Sequence, residues 1–444
     1  MKSNEIDMTS GSLVRKIFVY SIPLMLSNLL QVMFNLADVA VVGNFVGPIA
    51  LGAVGSTSIL IMMTTGMLLG MSGGVNAVVA LYAGAKDNRN VKKAVHTSII
   101  ICIVLGMLLL LAGLFLTRPM LNLIGTKNEL IDGAVLYLTV YLLGSPALAL
   151  YNYGNAVLSA IGDTRRPLIY LAIAGVINVV LNLVFVIGFK IGVVGVALAS
   201  IISQYISAFL VIKFLLLCKS DYGLNIKEIR IDRKIAARVL RIGVPAAVQY
   251  TLFAIANLYI QSAVNSFDHV VVEGNSAAAN ADNIVYDMMA AFYTACTSFI
   301  AQNLGAKKKD RIKKAFFITQ MYSTLIGVVF GALLVIFRIQ FLHLFTNDEQ
   351  VVYYGGIRLA IMGCSYFISA FMDNPAAAAR GLGKSVIPTI IVVMGSVVFR
   401  IIWVCTIFAS IRTLESLYFV YASAWAFTAV AGYVYFWYEY KKCM

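Results

Sequence analysis

Four polar residues lie in the first long apolar segment of the chain, spaced four, four and three residues apart: Ser27, Gln31, Asn35 and Asp38. On a helix this spacing forms a single polar stripe. A charged side chain at the centre of a bilayer costs about 3 kcal/mol even on lenient scales. The stripe is therefore expected to face a wet cavity or a polar partner, where an acid can bind a cation or take up a proton. It predicts a transport protein.

The segment that carries this stripe, residues 21–45, is long enough to cross a bilayer, since a spanning helix needs about 20 residues. The 444-residue chain is 61% hydrophobic and only 12% charged, with a mean hydropathy of +0.88. Soluble domains carry about 25% charged residues. The composition predicts a polytopic membrane protein. We expect no cleavable signal peptide, because the polar N-terminus leads directly into an apolar run of spanning length.

About twelve apolar segments are long enough to span a membrane, which predicts an all-α membrane protein. They lie at about residues 18–44, 56–82, 95–117, 131–157, 168–189, 192–217, 240–264, 277–303, 315–337, 354–378, 388–409 and 416–438. Gly66, Gly70, Gly73 and Gly74 crowd the second segment, where small residues favour close helix packing.

Lysine and arginine residues are concentrated in alternate loops. Most of the 34 fall on the side of the N-terminus if the spans simply alternate. The positive-inside rule places that side in the cytoplasm. We therefore expect a multi-pass plasma (inner) membrane protein with both termini cytoplasmic. The formal net charge of +14 then reflects orientation and lipid headgroup contact, not a surface for nucleic acid.

The chain repeats itself after about 222 residues. Pro23 matches Pro245 at a shift of 222, and Gly162 matches Gly383 at a shift of 221. Six spans in each repeat is an even number, so both repeats enter the membrane in the same direction. Such parallel repeats are typical of transporters with a substrate path between the halves. The expected division is an N-terminal six-helix lobe at 1–217, a cytoplasmic linker loop at 218–239 and a C-terminal six-helix lobe at 240–444.

Residues that metals and enzyme reactions use are scattered along the chain. The six cysteines lack CxxC spacing, and the three histidines are isolated. An intramembrane enzyme needs a paired nucleophile and base, or a metal triad, within its spans. A passive channel needs a repeated filter or pore ring. The sequence shows neither pattern, so we expect no catalytic residue, no metal and no cofactor apart from a transported ion.

Three segments carry a resemblance to a known family. Residues 38–55, 161–167 and 300–315 read DVAVVGNFVGPIALGAVG, IGDTRRP and IAQNLGAKKKDRIKKA. They resemble the first helix and the repeated loops of multidrug and toxic compound extrusion (MATE) transporters. The resemblance implies a V-shaped two-lobe fold and export of organic cations and drugs by proton or sodium antiport. We expect a monomer that binds these small molecules and the coupling ion.

The resemblance implies a coupling-ion site in the N-terminal lobe. Its first-helix acid falls on Asp38, its fifth-helix partners on Asn178 and Asn182, and a hydroxyl partner on Ser200; Asn35 lies one turn from the acid. Asn178 and Asn182 share one helix face. A carboxylate with amide and hydroxyl oxygens suits a hard cation, and the same carboxylate can take a proton instead. Both coupling ions are compatible with these residues.

The C-terminal half lacks the acidic site, since Ile260 and Arg400 stand at the positions that match Asp38 and Asn178. A buried Asp373–Arg400 pair is one interpretation of this half, and a functional role for each residue is the other. For Asp282 and Asp287, which open the eighth span, the two interpretations are a mouth-facing or interfacial position, which the sequence favours, and a functional role. The residues predicted to line a substrate path are Gln31, Tyr153, Asn257, Asp373 and Arg400.

A flippase for lipid-linked or oligosaccharide substrates, from the same superfamily, is the alternative function. Such relatives tend to place several basic residues in a central cavity and often have extra spans. Here Arg358 and Arg400 are the two candidate cavity cations, so the composition of the spans favours the antiporter.

Overall fold

The computed structural model describes residues 5–443, and every regular element within that range is helical. Helices suit a bilayer because they satisfy their backbone polar groups internally. The helices are α1 (Leu13–Phe45), α2 (Pro48–Gly84), α3 (Asn88–Leu123), α4 (Asn128–Leu142), α5 (Ser145–Ala160), α6 (Arg165–Leu183), α7 (Val193–Leu217), α8 (Arg233–Val264), α9 (His269–Gly305), α10 (Lys309–Ile336), α11 (Arg338–Leu342), α12 (Glu349–Gly363), α13 (Tyr366–Gly381), α14 (Val386–Val392), α15 (Phe399–Trp403) and α16 (Leu414–Lys442). Segments of π-helix occupy Val184–Gly188, Val393–Val398 and Val404–Phe408, and a 3-10 turn occupies Ile226–Glu228.

The number of spans agrees with the sequence, and the structure adds two breaks. Within residues 5–443, ten helices are long and apolar enough to cross a membrane, and two bent pairs bring the total to twelve. Helices α4 and α5 meet at 46°, and α12 and α13 meet at 48°. Pro146 at the start of α5 accounts for the first break, because proline lacks the amide proton that would continue the hydrogen bonds of α4. Two segments predicted as continuous therefore each consist of two helices.

The chain forms two compact units whose limits differ from the predicted lobes. Unit 1 contains the residues up to Asp7 together with Leu26–Ala247. Unit 2 contains Met8–Met25 and Val248–Met444. Each limit between units falls inside a long helix, in α1 two residues after Pro23 and in α8 two residues after Pro245. The predicted linker 218–239 lies wholly within unit 1.

The linker belongs to unit 1 because it is bound to the first turns of α3. The backbone N–H of Asn225 donates to His96 Nε2 over 2.9 Å. Lys93 pairs with Asp232 over 3.0 Å, and this hydrogen bond lowers the pKa of that carboxyl. The backbone N–H of Asp232 also donates to Thr97 Oγ1 over 3.0 Å. The charged segment 218–239, which we call the docked strap, is thus bound to α3, although its composition predicts a loop.

Glycines in α2 let α8 approach within unit 1. A Cβ atom added to Gly70 would lie 2.3 Å from the backbone nitrogen of Ala247, and one added to Gly74 would lie 2.7 Å from the nitrogen of Gly243. The close packing predicted for these two positions is confirmed. Gly73 differs, because a Cβ atom there would meet nothing within 4 Å.

We expect Gly70→Ala to destabilise the protein strongly, because a methyl group would push against backbone that cannot move aside. Overpacking of this kind costs about 2 kcal/mol or more. Thermal unfolding of the purified protein measures the effect. Gly73→Ala is the matched control and should be neutral or slightly stabilising, since alanine favours helix and the site has space. Equal melting temperatures for the two variants would contradict the packing.

Candidate functional site

Four buried polar side chains meet in unit 1, drawn from α1, α6 and α7: Asp38, Asn178, Asn182 and Ser200. Ser200 Oγ donates to Asp38 Oδ2 over 3.0 Å, and Asn182 Nδ2 donates to Asp38 Oδ1. Asn178 Nδ2 donates to Ser200 Oγ over 3.3 Å. Both carboxylate oxygens therefore accept hydrogen bonds, and we call these four residues the Asp38 cluster.

A glycine positions α1 against α6 next to this cluster. Gly175 has no side chain to keep the ring of Phe34 away, and an added Cβ atom would overlap that ring. Asp38 follows Phe34 by four residues, and Asn178 follows Gly175 by three. These spacings keep each residue on the helix face of its neighbour. The packing of Phe34 on Gly175 thus brings the carboxylate and the amide together one turn further on.

The Asp38 carboxylate has no basic partner among the residues that the structure describes. Its residue is 9% exposed, and none of the ion pairs within residues 5–443 includes it. Tyr137 and Tyr141 of α4 are close enough to interact with it electrostatically. The sequence interpretation missed these two tyrosines. Their spacing of four residues on one apolar helix was the available signal, and their rings stack with centroids 6.1 Å apart.

The Asp38 cluster has the oxygen atoms that a small cation needs as ligands. The Asp38 oxygens, Asn178 Oδ1 and Ser200 Oγ are oxygen ligands of the type hard cations prefer. Asn182 Oδ1 is buried and has no hydrogen-bond partner within residues 5–443. A rotation of the Asn182 amide would turn this oxygen toward Asp38 in place of its NH₂ group. The cluster can therefore exchange an amide donor for a cation, or accept a proton on Asp38.

The other predicted residues of unit 1 lie apart from the cluster. Asn35 and Gln31 are exposed on α1, and the hydrogen bonds of the Asp38 cluster do not include them. Tyr153 departs from its predicted place in a substrate path. Its side chain is fully buried, and its hydroxyl donates to the carbonyl of Val95 over 3.0 Å. In this structure Tyr153 packs α5 against α3.

A second charged cluster lies in unit 2, where Arg358 of α12 binds Asp282 of α9. Arg358 donates to Asp282 through Nε over 3.2 Å and also through Nη2. Tyr366, at the start of α13, donates to the other oxygen of Asp282, and Arg358 Nη1 donates to Asn275. Tyr418 of α16 also donates to Asn275, over 3.2 Å. This network joins four helices, and it places Asp282 in a buried pair where the sequence favoured an interfacial position.

Asp373 and Arg400 are both buried in unit 2, but they do not form an ion pair within 4 Å among the described residues. Arg400 Nη1 donates to Asn257 Oδ1 over 3.3 Å. Asp373 Oδ2 has no hydrogen-bond partner in the part of the chain that the structure describes. The direct Asp373–Arg400 pair considered from the sequence is therefore absent from residues 5–443, and Asn257 is the contact partner of Arg400.

Comparison with known proteins gives a consistent result. The sequence profile of the MatE family matches residues 23–184 and 245–406, so the second match follows the first by 222 residues at both ends. A probable multidrug resistance protein of Bacillus subtilis, YpnP, is 30% identical over 69% of this chain and 68% of its own. A second one, YoeA, is 26% identical over 97% and 95% of the two chains. A solved MOP superfamily transporter from Pyrococcus furiosus superposes with a TM-score of 0.93 at 22% identity, covering 100% and 99%.

Proposed function

Because the chain belongs to the MatE family, we propose that it exports organic cations from the cytoplasm in exchange for protons or sodium ions, with Asp38 as the coupling-ion residue. The protein is a multi-pass membrane transporter of a multidrug efflux family and not an enzyme. The relatives named above are described as probable multidrug resistance proteins. Their description supports organic drugs as the cargo of this chain.

The burial of Asp38 without a basic partner is the observation on which the coupling proposal depends. A carboxylate permanently bound to an arginine would have no reason to exchange ions. A carboxylate against lipid would be neutral and inert. Asp38 instead accepts hydrogen bonds from Asn182 and Ser200 and is enclosed by protein, which leaves its charge available to an incoming cation or proton.

The mechanism follows from the cost of burying a charge. A proton or cation that enters from outside neutralises Asp38 and lets the helices of unit 1 pack more closely around it, which favours release of the drug. Release of the ion to the cytoplasm restores the charge and the binding-competent arrangement. Since the coupling is reciprocal, the drug weakens ion binding by the factor by which the ion weakens drug binding.

We propose further that the protein lies in the plasma (inner) membrane with both termini in the cytoplasm and works as a monomer. The concentration of lysine and arginine in alternate loops supports this orientation. Cysteine labelling of single accessible positions near each terminus, in intact and in opened cells, tests it.

Liposomes with separately imposed gradients test the exchange. Purified protein is reconstituted, a proton or a sodium gradient is applied, and efflux of ethidium is followed by fluorescence. We expect one gradient to drive ethidium uphill and ethidium to drive the same ion in return. Protein-free liposomes and gradients collapsed by an ionophore are the controls. Ethidium transport that is indifferent to both gradients would contradict the coupling.

A further inference from the structure

Arg400 is a buried arginine with unused hydrogen-bonding capacity. It is 3% exposed, and its bond to Asn257 is the one hydrogen bond it makes among the described residues. Its Nε is buried and has no hydrogen-bond partner in the described part of the chain. A guanidinium carries five N–H donors, so most of them are unsatisfied by protein. Arg358 of the same unit contrasts with it, because Asp282 and Asn275 bind all three of its nitrogens.

Aromatic rings, not a carboxylate, surround the Arg400 guanidinium. Its Cζ lies 4.5 Å from the ring centroid of Tyr421 and 5.6 Å from that of Phe253. Cation–π contacts of this kind stabilise a desolvated charge, but by less than the burial of an unpaired ion destabilises it. The remaining cost is removed when an anion occupies the free donors.

The internal repeat places Arg400 at an informative position. It corresponds to Asn178 at the shift of 222, and Asn257 corresponds to Asn35. The second repeat therefore has a fixed positive charge where the first repeat has an oxygen ligand, and Ile260 where the first has the carboxylate of Asp38. A site with this composition favours anions, because it supplies hydrogen-bond donors and positive charge. The Asp38 cluster of the first repeat favours cations.

Two residues of α8 that are less buried than Arg400 contact its guanidinium. Asn257 is exposed and Phe253 is half-buried on the same helix, and both contact the guanidinium. Asp373 is the acid that interacts with Arg400 electrostatically, beyond ion-pair distance. A ligand that reaches Arg400 past Asn257 thus meets a positive charge, two aromatic rings and a carboxylate with a free oxygen.

We propose that Arg400 forms an oxyanion subsite in unit 2 and that the protein binds aromatic compounds that carry a carboxylate or phosphate group. The planar donor set of arginine matches these oxyanions, and Tyr421 and Phe253 pack against an aromatic body. This inference rests on the proposed function only for the direction in which such a compound moves. Binding to the Arg400 subsite is measured at equilibrium without an ion gradient, which distinguishes it from ion coupling at Asp38 of unit 1.

Equilibrium dialysis with matched probes tests the subsite. 2-Naphthoate and 2-naphthylmethylammonium share one ring system and differ in the charge of the attached group. Binding is measured to full-length protein in phosphatidylcholine nanodiscs, with empty nanodiscs as the blank. We expect Arg400→Gln to weaken naphthoate binding about tenfold or more, the effect of losing a charged hydrogen-bond donor set. Binding of the ammonium probe should be unchanged or tighter.

Control variants separate this result from misfolding and from failure of the antiport mechanism. Arg412→Gln removes an exposed arginine of the same unit and should not change naphthoate binding. Arg400→Lys keeps the charge but loses the planar donors, and it should weaken naphthoate about threefold or more. Naphthoate binding is measured without an ion gradient, so the comparison of the two probes stays informative whether or not Asp38 couples ions. Unchanged naphthoate affinity in every folded Arg400 variant, or equal loss of both probes, would overturn the proposal.

A lipid headgroup and a soluble substrate share the oxyanion chemistry. Nanodiscs that contain phosphatidylglycerol distinguish them. Displacement of naphthoate by this lipid assigns the Arg400 subsite to a headgroup, and undisturbed binding assigns it to a soluble compound; both outcomes support an oxyanion subsite.

Discussion

Asp38→Asn is expected to abolish drug-stimulated ion flux while the protein stays folded. Asparagine nearly matches the shape of aspartate and can still accept a hydrogen bond from Ser200 or Asn182. It cannot alternate between a charged and a neutral state, and that alternation couples the ion to the drug. Proteoliposomes with an imposed proton or sodium gradient should therefore show ion flux at the level of empty vesicles when ethidium is added.

The control for this result is an aspartate of the same unit that lies outside the cluster. The Asp132 side chain is 82% exposed and pairs with Arg118, and such surface pairs contribute less than about 1 kcal/mol. Asp132→Asn should transport like the unmodified protein. Near-normal ethidium export by a folded Asp38→Asn variant would end the proposed role of Asp38.

Arg358→Met should give the largest loss of stability among substitutions in unit 2. The side chains of Arg358 and Asp282 are 8% and 17% exposed, and removing one member of a buried pair leaves an uncompensated charge. The usual cost is about 3–5 kcal/mol. Asn275 would also lose the hydrogen bond that it accepts from Arg358. Thermal unfolding of the purified protein should show a much lower melting temperature, with aggregation at a lower temperature in parallel.

A second substitution separates the loss of stability caused by the isolated charge from the stability that the ion pair contributes. In the double variant Asp282→Asn with Arg358→Met, no charge remains unpaired, so much of the lost stability should return. Additive losses in the double variant would mean that the two side chains stabilise unit 2 independently and would argue against the pair.

Sequence reasoning located the residues of the Asp38 cluster because an acid within a span has few tolerable environments. The need to neutralise or enclose a buried charge pointed to Asp38, and the family resemblance supplied Asn178, Asn182 and Ser200. Their role in coupling stays a prediction. The helical fold followed from hydropathy alone, since helices are one of the few ways to satisfy the backbone in lipid.

Other features depend on contacts that no local pattern reveals. The Asp282–Arg358 network joins residues from four helices, and its central pair is separated by 76 residues, so spacing gave no indication of it. Tyr153 carries a hydroxyl group that suits a substrate path. In the structure this hydroxyl donates to a backbone carbonyl of α3, and the side chain packs there instead. The binding of the docked strap to α3 was not predicted, because a charged segment is expected to lie in solvent. In the structure Lys93 and His96 of α3 bind it.

The division of the chain into units has a consequence for biosynthesis. Residues 8–25 are synthesised before residues 26–247, but the unit to which they belong is otherwise encoded from Val248 onward. Unit 1 lacks its last helical segment until Ala247 has been made. The contacts of the first part of α1 within unit 2 can therefore form only after the whole of residues 26–247 has been synthesised.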